Sequence, residues 1–157
     1  MAYRRLNTLR GEGFDYSQPA YYFLTLNIRD KKPVLGEIRN GKMELNQLGK
    51  IVEDKWREIP QWYSHAILHA SQVMPDHFHA VLQFAYGNPE DVTVSRIIKQ
   101  FKGVVTKEAQ KAGIEVSSPL WQRSFWCKAF WMDDALAKIE KYIEDNPIVY
   151  FEKHGKI

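Results

Sequence analysis

Residues 62–84 read WYSHAILHASQVMPDHFHAVLQF, and the division of this stretch at Pro75-Asp76 decides the fold. Both halves are rich in aromatic, aliphatic and β-branched residues, the composition of strands bounded by turn formers. The pattern predicts two strands, over 62–74 and 77–84, joined at Pro75-Asp76. Side chains two apart on a strand share a face. His77 and His79 therefore point one way, while Phe78, Ala80 and Leu82 point the other as an apolar layer. His65 and His69 are likewise expected on one face of their strand, about 13 Å apart, as ordinary packing or surface histidines.

Working upstream, residues 20–28 (AYYFLTLNI) read as a further strand, and Asn40-Gly41 within VLGEIRNGKMEL marks a hairpin ribbon over an edge. Over 46–58, Leu48, Ile51, Val52 and Trp56 repeat at helix spacing. Downstream, a helix is predicted over 93–112, then a short strand or irregular segment within GIEVSSPLWQRSFWCKAFW. Residues 133–145 (DDALAKIEKYIED) form a last helix that Asn146-Pro147 should end. Residues 1–19, polar and rich in turn formers, read as an extended arm. Strands and helices intermingle with neither repeats nor a long linker. The expectation is one α+β domain over 1–157, an antiparallel sheet with helices packed on one face.

Composition narrows the class. A chain of 157 residues can bury about two-thirds of its unfolded surface. Its 45% hydrophobic and 26% charged content is that of a globular protein and not of a disordered one. The net charge of +3 suits a polyanionic partner without requiring one. A single cysteine, Cys127, excludes an intrachain disulfide and a cysteine-rich zinc module, and fits a reducing compartment. No apolar run is long enough to span a bilayer, and the basic N-terminus is not followed by a signal segment. The sequence thus points away from a membrane and to the cytoplasm.

Three groups of residues carry chemistry. His77 and His79 offer two nitrogen ligands to one divalent ion, which would need a third donor from elsewhere; they fit equally the open face of a half-exposed strand. Tyr142 and Asn146 lie four apart and share a helix face if the last turn persists. That spacing brings together a phenol and an amide oxygen acceptable to magnesium or manganese. A boundary packing role for Tyr142 and a helix-terminal role for Asn146 remain open beside it. On the 93–112 helix, Arg96, Lys99, Lys102 and Lys107 surround an apolar stripe, as phosphate contacts or as a solvated face. Arg123 and Lys128 interrupt a run of Trp121, Phe125, Trp126, Phe130 and Trp131, and aromatic platforms beside positive charge suit splayed bases.

Taken in order, the segments VMPDHFHAVL (73–82), LGEI with Asn40-Gly41 and Leu45-Asn46, IKQFK (98–102), LWQR (120–123) and KYIEDNP (141–147) resemble the IS200-like transposase family. Within it the chain resembles the single-copy tyrosine transposases associated with repetitive extragenic palindromes. The likeness covers most of the chain. It implies a ferredoxin-like sheet, His77 and His79 as metal ligands and catalytic residues, Tyr142 as nucleophile and Asn146 as third ligand. It also implies Mg2+ or Mn2+ as cofactor, single-stranded or hairpin DNA as substrate and partner, drawn from repetitive palindromes, and a homodimer as in many relatives. The implied reaction is DNA cleavage and strand transfer through a 5′-phosphotyrosine, with Arg96, Lys99, Lys102 and Arg123 on the DNA. Where many relatives carry Tyr-Asp-His, this chain has Trp126-Cys127-Lys128. That departure keeps in view a catalytically weak hairpin-binding descendant. A small metal-dependent hydrolase acting on a soluble substrate is the more distant alternative.

Overall fold

The structure, a computed structural model, describes residues 4–5, 15–88, 90–131 and 133–154. Its main sheet is antiparallel and contains β1 (Arg4–Arg5), β2 (Ala20–Asn27), β5 (Ala66–Val73), β6 (His77–Phe84) and β7 (Trp126–Phe130), in the order β1-β7-β2-β6-β5. A separate ribbon pairs β3 (Gly36–Arg39) with β4 (Lys42–Leu45). The helices are α1 (Gln47–Arg57), the single turn α2 (Ile59–Trp62), α3 (Val94–Lys111) and α4 (Asp133–His154). Apart from β1 and the ribbon, β2, α1, β5, β6, α3 and β7 follow one another as a ferredoxin-like βαββαβ unit, with β2 and β6 at the centre.

Local signals start the elements where they should. Asn40 and Gly41 both hold positive φ, 53° and 75°, as a two-residue hairpin turn demands. Asn46 caps α1 by accepting from the Gly49 N–H at 2.9 Å, and its amide donates to the Val34 carbonyl at 2.8 Å. Thr93 caps α3 through the Arg96 N–H at 3.2 Å. The extended arm pairs at Arg4 and Arg5 with Cys127 and Trp126; its residues 1–3 and 6–14 lie outside the described residues.

Alternation along the strands gives the sheet two apolar faces. Tyr22, Leu24, Leu26, Phe78 and Leu82 line one, covered by α1 and α3, where the Trp56 ring lies 5.1 Å from Phe78 and 5.2 Å from Phe101. Phe23, Val81 and Phe130 line the other and pack on Ile139 and Ile143 of α4. The one-face expectation therefore holds for α1 and α3 but not for α4. The second face is itself apolar and demands a cover.

Three further differences have local causes. The strand expected from residue 62 begins at Ala66, because Pro60 favours the first turn of a helix and α2 forms there. The two upstream histidines do not share a face, because His65 falls ahead of the delayed strand; the register shift on β5 lies between Leu68 and Ser71. His69 faces α4 beside Tyr21 and Gln83, whereas His65, ahead of the strand, packs 4.7 Å from Phe84 in the opposite layer. Finally, α4 does not stop at Asn146-Pro147 but runs through it to His154. Proline removes one N–H and crowds the carbonyl four residues back. Here Ile143, Asn146 and Pro147 are all buried, so packing outweighs that loss. The ribbon closes over the same helix: a Cβ on Gly41 would lie 3.5 Å from the Ile148 side chain. None of the described helices is long and apolar enough to cross a membrane.

Candidate active site beneath the last helix

His77 and His79 lie on the α4 face of β6, and both are buried, 9% and 6% exposed. Each ring is oriented through Nδ1. That of His77 lies 2.5 Å from a carboxylate oxygen of Asp76, and that of His79 lies 2.9 Å from the Thr25 hydroxyl. An ionised carboxylate only accepts, so the Nδ1 of His77 is the donor in this contact. The two Nε2 atoms stand 3.1 Å apart. Adjacent ligands on a small ion at about 2.1 Å would be separated by roughly 3 Å, so the spacing fits such an ion. This second layer of partners behind the imidazoles is the usual support of metal-bound histidine.

The electrostatics favour a neutral ring at His79. Burial, with the nearby charges of His77 and Lys31, pulls the pKa of His79 down to about 3, which leaves its lone pair free at neutral pH. Burial alone would raise the carboxyl pKa of Asp76, but the His77 hydrogen bond and the charges of His77 and Lys31 outweigh it and lower the value. Lys31 is held there by donating to the Asn27 side chain at 3.0 Å, and Asn27 is the direct cross-strand neighbour of His77.

Tyr142 stands over this pair. Its ring lies 5.9 Å from His79 and 6.1 Å from Phe23, and it is 53% exposed, so its hydroxyl borders solvent instead of the core. A cleft of about 510 Å³ opens beside it, lined by Phe23, Thr25, His79, Trp126, Lys138 and Tyr142. Asn146 follows one helical turn later and is 8% exposed. Among the described residues no three His, Cys, Asp or Glu side chains converge on a possible ion. A third protein donor to an ion would thus come from another residue type, and Asn146 is the candidate of that kind nearest Tyr142 in sequence.

The four candidate DNA contacts lie elsewhere. Arg96 and Lys99 are exposed on α3, behind the sheet from Tyr142, and Arg96 lies 3.6 Å from Glu90. Lys102 is a strut: its ammonium donates to the carbonyls of Gln122 at 2.9 Å and Ser124 at 3.3 Å, and burial lowers its pKa to about 8. Arg123 is exposed in the segment so braced. Sequence reasoning missed Thr25, Asp76, Lys31 and Lys138. Asp76 directly precedes His77, and Lys138 stands one turn before Tyr142, so two of them carried a readable signal. Thr25 and Lys31 depend on cross-strand register, which the sequence does not print.

A βαββαβ sheet with a buried histidine pair under a helix bearing an exposed tyrosine defines a narrow class of domain. The family model described as "Transposase IS200 like" matches residues 37–146, and the chain belongs to that family. It is similar to an uncharacterized protein of Haemophilus influenzae (strain ATCC 51907 / DSM 11121 / KW20 / Rd), 26% identical over 161 residues, covering 91% of this chain and 88% of that one. Among solved structures it resembles a REP-associated tyrosine transposase bound to a REP hairpin, with a TM-score of 0.62 at 18% identity, over 86% of this chain and 70% of the other. A crystal structure provisionally assigned as a transposase from Deinococcus radiodurans R1 gives a TM-score of 0.53 at 21% identity, over 85% and 95% of the two chains. These two likenesses establish the shared fold.

Proposed function

We propose that this chain is a metal-assisted endonuclease and strand transferase acting on single-stranded or hairpin DNA, with Tyr142 as the nucleophile. The observation that carries the reading is the approach of the Tyr142 ring to within 5.9 Å of His79 in the same chain. Family membership and the REP hairpin held by the structural relative support folded DNA as the substrate. A magnesium or manganese ion held by His77, His79 and Asn146 would offset charge on a nonbridging phosphate oxygen. The Tyr142 oxygen attacks phosphorus, the Oη–P bond forms and the P–O3′ bond breaks. The departing 3′ oxygen takes up a proton as a hydroxyl, and the half-exposed phenol gives its own proton to water. The product is a 5′-phosphotyrosine, which retains the energy of the broken bond for rejoining. Lys138, on the wall of the same cleft, supplies positive charge to the developing anion. One chain supplies every group named, so a homodimer is not needed to complete the site.

A second reading is favoured by one observation. Trp126 lines the cleft beside Tyr142, where relatives carry the first residue of Tyr-Asp-His, and an indole there fits base binding in a protein that has lost the chemistry. One experiment separates the two. Hairpin oligonucleotides from repeats flanking the gene are incubated with magnesium or manganese and resolved on denaturing gels beside Tyr142→Phe. A metal-dependent covalent adduct formed by the parent and absent from the variant is expected. Tight binding without an adduct in either protein sinks the nuclease reading and leaves the binding one.

A further inference from the structure

Gly103 lies inside α3, at negative φ, with nothing within 4 Å of where its Cβ would stand. A glycine inside a helix gives up about 1 kcal/mol relative to alanine. The other five described glycines have reasons to be glycine: Gly36, Gly41, Gly87 and Gly113 hold positive φ, and a Cβ on Gly49 would meet the Leu35 carbonyl. Gly103 has neither reason, so the open space over it is what its side-chain-free surface provides. That space is a groove of about 640 Å³ between α3 and the segment leading into β7. Lys102, Lys107 and Arg123 line it with serine, threonine and glutamine side chains over an apolar wall of Val116, Pro119, Leu120 and Trp121, and no carboxylate does.

The groove is joined to the candidate active site by the backbone. Gln122 donates to the Asn27 carbonyl at 2.9 Å, and Arg29 donates to the Leu120 carbonyl at 3.0 Å. Asn27 is paired directly with His77. The groove wall therefore begins at the end of the sheet where the histidines lie, and continues round to the α3 face. A single strand can follow that turn; a duplex, with a persistence length near 50 nm, cannot.

We propose that this groove seats the sugar–phosphate backbone of a single-stranded DNA segment flanking the reacting phosphodiester, with Gly103 as its floor and Lys107 and Arg123 as its phosphate contacts. The proposal rests on the DNA reading above and assigns a second binding region to it. Lys102 holds the wall in place and leaves the phosphate contacts to its neighbours.

The test uses the full chain carrying Tyr142→Phe, so that binding is measured without chemistry. Fluorescence anisotropy compares one hairpin with and without long single-stranded flanks. Gly103→Gln should weaken binding of the flanked hairpin about tenfold and leave the blunt one unchanged. Lys107→Ala and Arg123→Ala should each lower the salt slope of flanked binding by about 1. Gly103→Ala should raise Tm by roughly 2–4 °C while still weakening flanked binding, opposite movements that damage to the fold would not produce. Equal binding of the flanked hairpin by parent and Gly103→Gln overturns the proposal. An equal loss for both probes also overturns it, by placing the duplex stem in the groove. Absence of any Tyr142 adduct removes the nuclease reading but not this one, whereas a parent that binds neither probe removes both.

Discussion

Removing His79 should flatten the acid limb of the stability curve. Burial holds its pKa near 3 in the folded chain against an ordinary 6.5. Between those values the unfolded chain binds a proton that the folded chain refuses, so stability falls as pH drops through this window. Each unit is worth about 1.4 kcal/mol, and acidification from about pH 6.5 to about pH 4 should remove roughly 3 kcal/mol. For a domain with about 5–15 kcal/mol in total, that is a large fraction. Asp76 works in the same direction further down: its pKa is lowered, so its contribution is lost as pH falls below 3.8 and through its folded value.

The assay is urea unfolding of parent and His79→Gln in chelator, at about pH 7, 5.5 and 4. Glutamine cannot take up the proton, and its amide can still meet the Thr25 hydroxyl. The parent should lose roughly 3 kcal/mol more than the variant across the series, even if the variant starts lower. Parallel slopes would refute the claim that a buried, neutral His79 controls the acid limb. Returning the metal near neutral pH provides a second readout. An ion present at about 100 times its Kd should stabilise the parent by about 2.7 kcal/mol and leave the variant where it was.

Two further substitutions test structural assignments. Lys102→Met keeps the apolar stem but removes the ammonium from the Gln122 and Ser124 carbonyls, and should cost about 1–2 kcal/mol in urea melts near neutral pH. Because burial lowers the pKa of Lys102 to about 8, the unfolded chain holds more protons between there and 10.5, so the parent should gain on the variant as pH rises through that range. An unchanged melt with weakened DNA binding would make Lys102 a contact and not a strut. Gly49→Ala would put a Cβ 2.2 Å from the Leu35 carbonyl oxygen. Since backbone must move to admit it, the loss should exceed about 2 kcal/mol, and a thermal melt matching the parent would disprove the close approach.

What the sequence made legible was mostly local. The start of β6 is readable because Pro75-Asp76 precedes it, and Asn40-Gly41 announces its own turn. The histidine pair could be assigned one face from period alone. The rest depended on contacts between distant segments. Nothing in Asn146-Pro147 shows that β5 and the ribbon hold α4 helical past a proline. Nor does a basic helix declare which side of the sheet it covers; Arg96 and Lys99 proved to be behind it, while Lys31, on no conspicuous motif, lies near the histidines and Lys138 beside Tyr142. His65 fell ahead of β5 because the helical turn at Pro60 delays the strand to Ala66, and the extra residue between Leu68 and Ser71 has no composition of its own.

The position of that extra residue has a consequence for the site. A slip of one residue exchanges the two faces of a strand, and on β6 it would carry His77 and His79 under α1 and α3, away from Tyr142. The pairing of β2 with β6 runs unbroken from Ala20 opposite Phe84 to Asn27 opposite His77. The irregularity lies instead on β5, at the edge of the sheet, where it moves neither ligand candidate. Both faces of the central pair are apolar where they are not part of the site, with Phe78 and Leu82 on one and Phe23 and Val81 on the other. Register is therefore fixed from two sides at once. The packing that stabilises the domain is also what holds two imidazoles and a phenol on the same face of the sheet.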